Sequence, residues 1–147
     1  MAEQAGYLTV ETRADRPGLV RIQATHRRPV QSAGSPADLE PVRLRYAASF
    51  GALHVALMHA QTALRHQMVD AEAGLYRIEP LEAIAAVDAI DLHHRRVYLD
   101  PSLADDPRLA EQVERRRRRH RLIDRIWTGV GILAILLLLL FSQIPIF

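Results

Sequence analysis

The pattern of apolar and polar positions changes most sharply near the end of the chain. From position 126 to 147 the sequence reads IWTGVGILAILLLLLFSQIPIF, without a charged residue. As a helix rising about 1.5 Å per residue, such a run is about 33 Å long, enough to cross the hydrocarbon core of a bilayer. The pattern therefore predicts a transmembrane helix over 126–147, with these anchoring side chains: Ile126, Trp127, Leu136, Leu137, Leu138, Leu139, Leu140 and Phe141.

A block of basic residues stands directly before this apolar run. By the positive-inside rule, arginines beside a membrane helix stay on the cytoplasmic side, which predicts a cytoplasmic N-terminal domain. The same side chains could also bind anionic lipid headgroups, at about 1 kcal/mol for each charge near an anionic surface. The layout resembles that of tail-anchored proteins, a likeness of the C-terminal stretch that implies post-translational insertion and no activity. The arginines concerned are Arg115, Arg116, Arg117, Arg118, Arg119, Arg121 and Arg125.

The basic block and the apolar run are expected to form one helix. Asp106 can cap a helix, and Pro107 is tolerated at its first position. No helix breaker follows before Gly129, and glycine is common in membrane helices. We expect a continuous helix from Pro107 to about Ile144, in which 107–125 is a charged juxtamembrane stalk.

The N-terminal part predicts strands first. Residues 7–13 and 19–26 alternate partly, and Pro17-Gly18 between them suits the type II turn of a β-hairpin. Residues 28–41 carry three prolines with glycine and serine and predict a mobile connecting loop. Residues 42–48 alternate as a strand whose Arg43 and Arg45 point to water.

Two helices and two short strands are expected next. Over 50–69, one helical stripe holds Phe50, Leu53, Leu57, Leu64 and Met68. A second helix opens at Pro80 and runs to 92, with Glu82, Asp88 and Asp91 away from its apolar face; 75–78 and 96–99 predict strands. The fold class is α+β: a small, mainly antiparallel sheet with two helices over residues 1–106, then the stalk and the membrane helix.

Composition narrows the chemistry. The chain contains no cysteine, which excludes disulfides, thiol nucleophiles and cysteine-ligated metals. It also lacks lysine and asparagine, a coding bias that points to a GC-rich, bacterial genome. Because the basic excess is confined to the block before the apolar run, the overall charge does not predict nucleic-acid binding. The N-terminus has no apolar stretch of a secretory signal.

The histidines are the only candidates for a metal or ligand site. His59 and His66 share a face of the expected helix, opposite its apolar stripe and too far apart for one ion. His93 and His94 follow Asp88 and Asp91, but the spacing supplies no third ligand. No catalytic motif is present, so we assign no catalytic, cofactor or metal residues and expect no cofactor.

The sequence thus predicts location better than activity. We expect a single-pass, C-terminally anchored protein of the bacterial inner membrane, whose cytoplasmic domain is an interaction or accessory module such as a subunit of a membrane complex. Its partners would be anionic lipids and another protein. The alternative is a membrane-tethered sensor that binds a ligand or metal beside the 50–69 helix or at the His93-His94 end. An enzyme is the weakest of the three interpretations.

Overall fold

The computed structural model describes residues 5–29 and 42–142, so residues 30–41 of the expected loop and residues 143–147 of the expected membrane helix lie outside the description. Within these ranges six strands join one antiparallel sheet, in the order β4-β5-β2-β1-β3-β6. The elements along the chain are β1 (Gly6–Arg13), β2 (Val20–Thr25), β3 (Val42–Phe50), α1 (Leu53–Ala63), β4 (Met68–Asp70), β5 (Leu75–Tyr76), α2 (Pro80–Asp88), β6 (His94–Leu99), α3 (Pro101–Ala104) and α4 (Pro107–Ser142).

The N-terminal hairpin is confirmed. β1 and β2 pair antiparallel from Tyr7 with Thr25 to Thr12 with Val20. In the turn, Gly18 has a φ of 79°, which a glycine adopts without steric cost. The Leu19 amide donates to the Arg16 carbonyl at 3.3 Å, closing the turn that the Pro-Gly pair predicted.

The helix expected over 50–69 is wrong at both ends. Phe50 belongs to β3 and Met68 to β4, so α1 covers only Leu53–Ala63. The chain leaves the helix at Leu64 (φ −111°, ψ 14°) and turns back, which lets β4 pair with β5. The apolar stripe is therefore shared between two strands and a helix, because apolar spacing in short segments suits either element.

The second expected helix begins at Pro80 as predicted, but it ends at Asp88 rather than 92. One side chain of this helix, Asp88, is more buried than expected. Asp88 was placed away from the apolar face, yet it is only 5% exposed. α4 packs across α2 on that side, and an arginine of α4 reaches the helix end that carries Asp88. A face that is polar in an isolated helix is thereby covered.

The prediction for Arg43 and Arg45 is incomplete. Their side chains keep 39% and 21% of their surface exposed, but both guanidinium groups also pair with Asp100, at 3.0 and 2.8 Å. Asp100 is 1% exposed and caps α3, accepting from the amide of Ser102 at 3.0 Å and from its hydroxyl at 2.8 Å. These two strand arginines therefore hold the turn that connects β6 to α3 and α4.

One apolar cluster joins the sheet, the helices and the start of α4. α1 and α2 both contact the central strands β1 and β3. The cluster also includes Leu109 and Val113 of α4, so the long helix begins inside the domain's core. Its strand and helix members include Leu8, Val10, Val20, Ile22, Tyr46, Phe50, Ala56, Ala60, Ile84 and Val87. The antiparallel sheet, the helices and the long C-terminal helix confirm the coarse α+β prediction.

Candidate functional site at the junction of the domain and the long helix

α4 is one helix from Pro107 to Ser142, and it begins where the sequence predicted. The carboxylate of Asp106 accepts the Arg108 amide at 2.9 Å, so it caps the helix as expected. Among the described residues, α4 alone is long and apolar enough to cross a membrane, a criterion of length and composition. Its most apolar window has a mean hydropathy of 2.0, and none of that window is buried against the protein.

The predicted anchoring side chains all lie on this exposed part of α4. Trp127 is 70% exposed and Leu138 is 71% exposed, although both are large apolar residues. Side chains of this kind are exposed on every side of the helix, so no protein surface covers one face of it. The remaining members of the predicted set behave alike: Ile126, Leu136, Leu137, Leu139, Leu140 and Phe141.

The arginines of the predicted block point in different directions from α4. Arg116 and Arg117 turn to the domain: Arg116 pairs with Glu82 of α2 at 3.3 Å, and Arg117 donates to the backbone carbonyl of Asp88 at 3.0 Å. A cation at the carbonyl end of a helix also interacts favourably with the helix dipole. These two arginines therefore fasten α4 to α2, a role that the sequence did not predict.

Of the other arginines of the block, some pair within α4 and the rest lie on its outer side. Arg118 and Arg121 both pair with Glu114 of the same helix, at 3.1 and 3.2 Å. Arg115, Arg119 and Arg125 are exposed and make no ion pair with any residue that the structure describes. This outer side keeps its positive charge for water or lipid headgroups.

A buried carboxylate, Asp88, lies at the centre of the junction. Its Oδ1 accepts from the hydroxyl of Tyr46 at 2.7 Å, and its Oδ2 accepts from Arg96 at 2.9 Å. Burial raises the pKa of Asp88, but the hydrogen bonds from Tyr46 and Arg96 outweigh it, and the pKa lies below its ordinary value. Burial and the neighbouring Asp88 raise the pKa of Tyr46. Asp88 is therefore held as a carboxylate beside a neutral phenol.

His94 extends this network towards α4. Its Nδ1 lies 2.8 Å from the Leu92 carbonyl, which can only accept, so Nδ1 carries the proton. The Nε2 atom faces Oδ1 of Asp88 at 3.5 Å, a long separation for a hydrogen bond. The ring stacks on Phe50, with centroids 5.0 Å apart. The predicted His/Asp group is thus only partly assembled: Asp88 and His94 meet, whereas Asp91 and His93 are exposed.

A cavity of about 490 Å³ lies between β6 and the first turns of α4. Its charged lining comes from both sides of the junction, and its floor is apolar. Across the described part of the chain, no three histidine, aspartate or glutamate side chains are grouped closely enough to hold a metal ion. The lining side chains with charge or a titratable ring are Asp88, His94, Arg96, Asp106, Glu114 and Arg117. Such a mixture of acidic and basic groups suits a small polar ligand.

The histidines expected on the 50–69 helix do not form a site. His59 lies on α1, but His66 lies beyond its end, so the shared helical face that the sequence suggested does not exist. Both side chains are exposed, as expected, and His66 accepts from Arg65 at 3.2 Å.

Sequence reasoning also missed Tyr46, Arg96 and Arg117 as partners of Asp88. By alternation, Tyr46 lies on the strand face opposite the two arginines of β3, and Arg117 was assigned to a uniform basic block. No local pattern connects either position with Asp88. A weak signal was present, since a carboxylate within an apolar helix requires donors from elsewhere. Comparison with protein-family models, with curated proteins and with solved structures finds no match to this chain.

Proposed function

We propose that this chain is a single-pass protein of the bacterial cytoplasmic membrane, anchored by its C-terminal helix, with the N-terminal domain in the cytoplasm. The domain acts as an interaction or accessory module, such as a subunit of an inner-membrane complex. The observation that carries the proposal is the apolar half of α4, which is continuous with the domain and buried nowhere.

The size of the exposed apolar surface supports the anchor. From Ile126 to Phe141 the helix is about 24 Å long and about 10 Å wide, with a lateral surface on the order of 750 Å². The largest apolar patch on a soluble monomer is about 300–600 Å². A hydrocarbon environment removes the cost of this exposure, because the apolar side chains no longer contact water. A helix can enter that environment because its backbone groups are bonded within the segment.

The charges beside the apolar half support the topology. Arg119 and Arg125 are exposed on the stalk, residues 107–125, and moving such cations through the bilayer is costly. Trp127 begins the apolar half, where an indole ring suits the headgroup level. The arginine-rich side therefore remains cytoplasmic, and with it the domain.

The interaction role rests on the way the domain is held. Leu109 and Val113 bury the start of α4 in the core, and Arg116 and Arg117 add polar contacts to α2. A domain fixed on its anchor presents constant surfaces to neighbours in the membrane, as an accessory subunit requires.

The test uses the full-length chain with an N-terminal tag in a bacterial host. We expect the protein to remain in the pellet after alkaline carbonate washing of membranes. Protease added to intact spheroplasts should leave the tag uncut, and protease added to inverted vesicles should remove it. Recovery in the soluble fraction overturns the anchor, and cleavage in intact spheroplasts overturns the topology. A protein purified from native membranes without any stoichiometric partner overturns the accessory role.

A membrane-tethered sensor is the second candidate, and the cavity at the junction favours it. Arg96 and Arg117 face the cavity from the sheet and from α4, so an anionic ligand there would contact both. The full chain in nonionic detergent should then unfold at a higher temperature with small dicarboxylates or phosphate. Arg96→Gln should remove the shift, and Arg95→Gln on the exposed side is the matched control. An unshifted unfolding temperature contradicts this candidate.

A further inference from the structure

The direction of α4 relative to the sheet determines which end of the domain faces the membrane. Short α3 connects Leu99, the last residue of β6, to the start of α4 at Pro107. At the other end of β6, His94 and Arg117 both lie beside Asp88. β6 spans about 17 Å from His94 to Leu99, and α4 rises about 15 Å from Pro107 to Arg117. α4 therefore runs along β6 in the opposite direction, and its apolar half continues beyond the His94 end.

Strand register identifies what else lies at that end of the sheet. His94 of β6 pairs with Phe50 of β3, and Phe50 pairs with Gly6 of β1. Next to Gly6, Tyr7 pairs with Thr25, the last residue of β2. These residues form one row across four strands. We call this row and the loops beyond it the anchor-side end, because α4 leaves the domain in the same direction.

The anchor-side end is basic. The described loop residues beyond the row include two exposed arginines, two exposed histidines and one exposed acidic residue, Asp91. Arg95 is one residue inside the row, in β6, and His54 lies in the first turn of α1. The acidic turn between β4 and β5 also points towards the anchor-side end, but it lies farther from the membrane than the row does. Gly74 in that turn is bonded to Ile22, about 10 Å short of Thr25 along β2. The exposed cationic and titratable residues at the anchor-side end are His26, Arg27, Arg28, His54, His93 and Arg95.

The opposite end of the sheet differs in how its charges are paired. There Arg13 forms a salt bridge with Asp15 at 2.8 Å, and Arg108 approaches Asp106 at 3.5 Å. Arg13 and, more weakly, the exposed Arg16 lower the pKa of Asp15, but Arg16 forms no salt bridge with a described residue. By contrast, Arg27, Arg28 and Arg95 have no acidic partner among the described residues. Among the described residues, these arginines at the end from which α4 departs are thus left without an acidic partner.

The helix also sets the distance to the membrane. Arg117, level with the row, precedes Ile126, the first residue of the uncharged run, by about 13 Å of helix. The headgroup region occupies about 5–7 Å of that height. The loops and arginine side chains beyond the row extend into the remaining gap, which is shorter than the Debye length of about 8 Å at physiological salt. An anionic leaflet therefore attracts these charges.

We propose that the anchor-side end of the domain is a docking surface for the anionic headgroups of the same membrane that holds α4. Arg27, Arg28 and Arg95 supply the contact, together with the exposed arginines of the stalk. This proposal adds to the anchor, because it specifies which face of the domain the membrane covers and which face remains accessible to a partner protein. It rests on the proposed insertion of α4, and its test separates the two.

The absence of cysteine makes a single-probe experiment possible. A fluorophore is attached to His93→Cys at the anchor-side end, and to Arg16→Cys at the opposite end as the matched control. Each full-length protein is reconstituted in vesicles that carry a quencher on the lipid headgroup, with or without phosphatidylglycerol. We expect several-fold stronger quenching at position 93 than at position 16 in the anionic vesicles, and a smaller difference in neutral vesicles or high salt.

A charge reversal completes the test. Arg27→Glu combined with Arg28→Glu should reduce the quenching at position 93 to its value in neutral vesicles, whereas Arg16→Glu should leave it unchanged. All the altered side chains are exposed, so circular dichroism should show an unchanged fold. Equal quenching of the two probes, or quenching indifferent to phosphatidylglycerol, overturns the docking surface. Loss of the protein from the vesicles in carbonate instead contradicts the anchor, and the same samples report it.

Discussion

The two halves of α4 have the same backbone structure and opposite surfaces. In the first half, Leu109 and Val113 are buried against the domain, and the remaining sides are mostly polar. Leu122 and Ile123 are exposed apolar residues near its end. In the second half, apolar side chains cover every side and none is buried. Helicity is common to both, so the difference lies only in where the polar positions fall. A single buried stripe needs one protein partner, whereas an all-round apolar surface needs a solvent that is itself apolar.

The largest effect is expected in the second half. Leu137→Arg combined with Leu138→Arg places two charges near the middle of the apolar run, at a cost of about 3 kcal/mol each on insertion scales. The protein should move from the carbonate-resistant pellet to the soluble fraction or be degraded. Leu122→Arg, in the first half and already 61% exposed, should leave the pellet fraction unchanged. Equal behaviour of the two variants would show that the halves do not differ in environment.

The next effect is expected in the first half. Leu109→Ala should lower the free energy of unfolding of the domain by about 2–3 kcal/mol, because Leu109 is 5% exposed and leaves a cavity against α2. Urea unfolding of the full chain in nonionic detergent measures this. Leu122→Ala is the control and should change stability by less than about 0.5 kcal/mol. Similar losses for both would mean that the first half of α4 does not pack on the domain.

The same comparison explains what the sequence could predict. The apolar half of α4 is recognisable because its signal is local: length and the absence of charge suffice. The signal for the N-terminal hairpin was likewise local, because it lay in the few residues around Pro17-Gly18. The contacts that the first half of α4 makes with the domain were not predictable in this way. Arg117 and Asp88 come into contact only because α4 packs on α2. A contact between segments distant in the chain does not appear in the hydrophobic periodicity of either segment.

The errors have the same physical origin. Arg43 and Arg45 alternate with apolar residues, which indicates a solvated face, but the buried carboxylate of Asp100 on a distant segment pairs with both. Asp88 was placed outside because its helix was considered alone. In each case a buried carboxylate found its cationic or hydrogen-bonding partner through tertiary structure.

An intermediate effect is expected where the first half meets the domain. Tyr46→Phe removes a donor from Asp88 and should cost about 1.5–3 kcal/mol at neutral pH, the range for a hydrogen bond to a charged group. The folded pKa of Asp88 is lowered, so its contribution is complete above the unfolded value of about 3.9 and is lost as the pH falls through the folded value. The stability difference between wild type and variant should therefore shrink in acid.

Thermal unfolding of both proteins between neutral and acidic pH checks this. Tyr7→Phe is the control, since the Tyr7 hydroxyl has no hydrogen bond to a described residue and its removal should have little effect at any pH. A difference that stays constant down to the most acidic pH would mean that Tyr46 does not act through the charge of Asp88.

The smallest effect separates the inner from the outer arginines of the first half. Arg116 and Glu82 are 27% and 43% exposed, so Arg116→Gln should cost no more than about 1 kcal/mol of domain stability. High salt should reduce the difference, because dissolved ions screen a partly exposed ion pair of this kind. Arg119→Gln on the outer side is the control and should leave stability unchanged. Its effect should appear instead in binding to anionic vesicles, since a cation that contacts no acid on the protein remains available to the lipid.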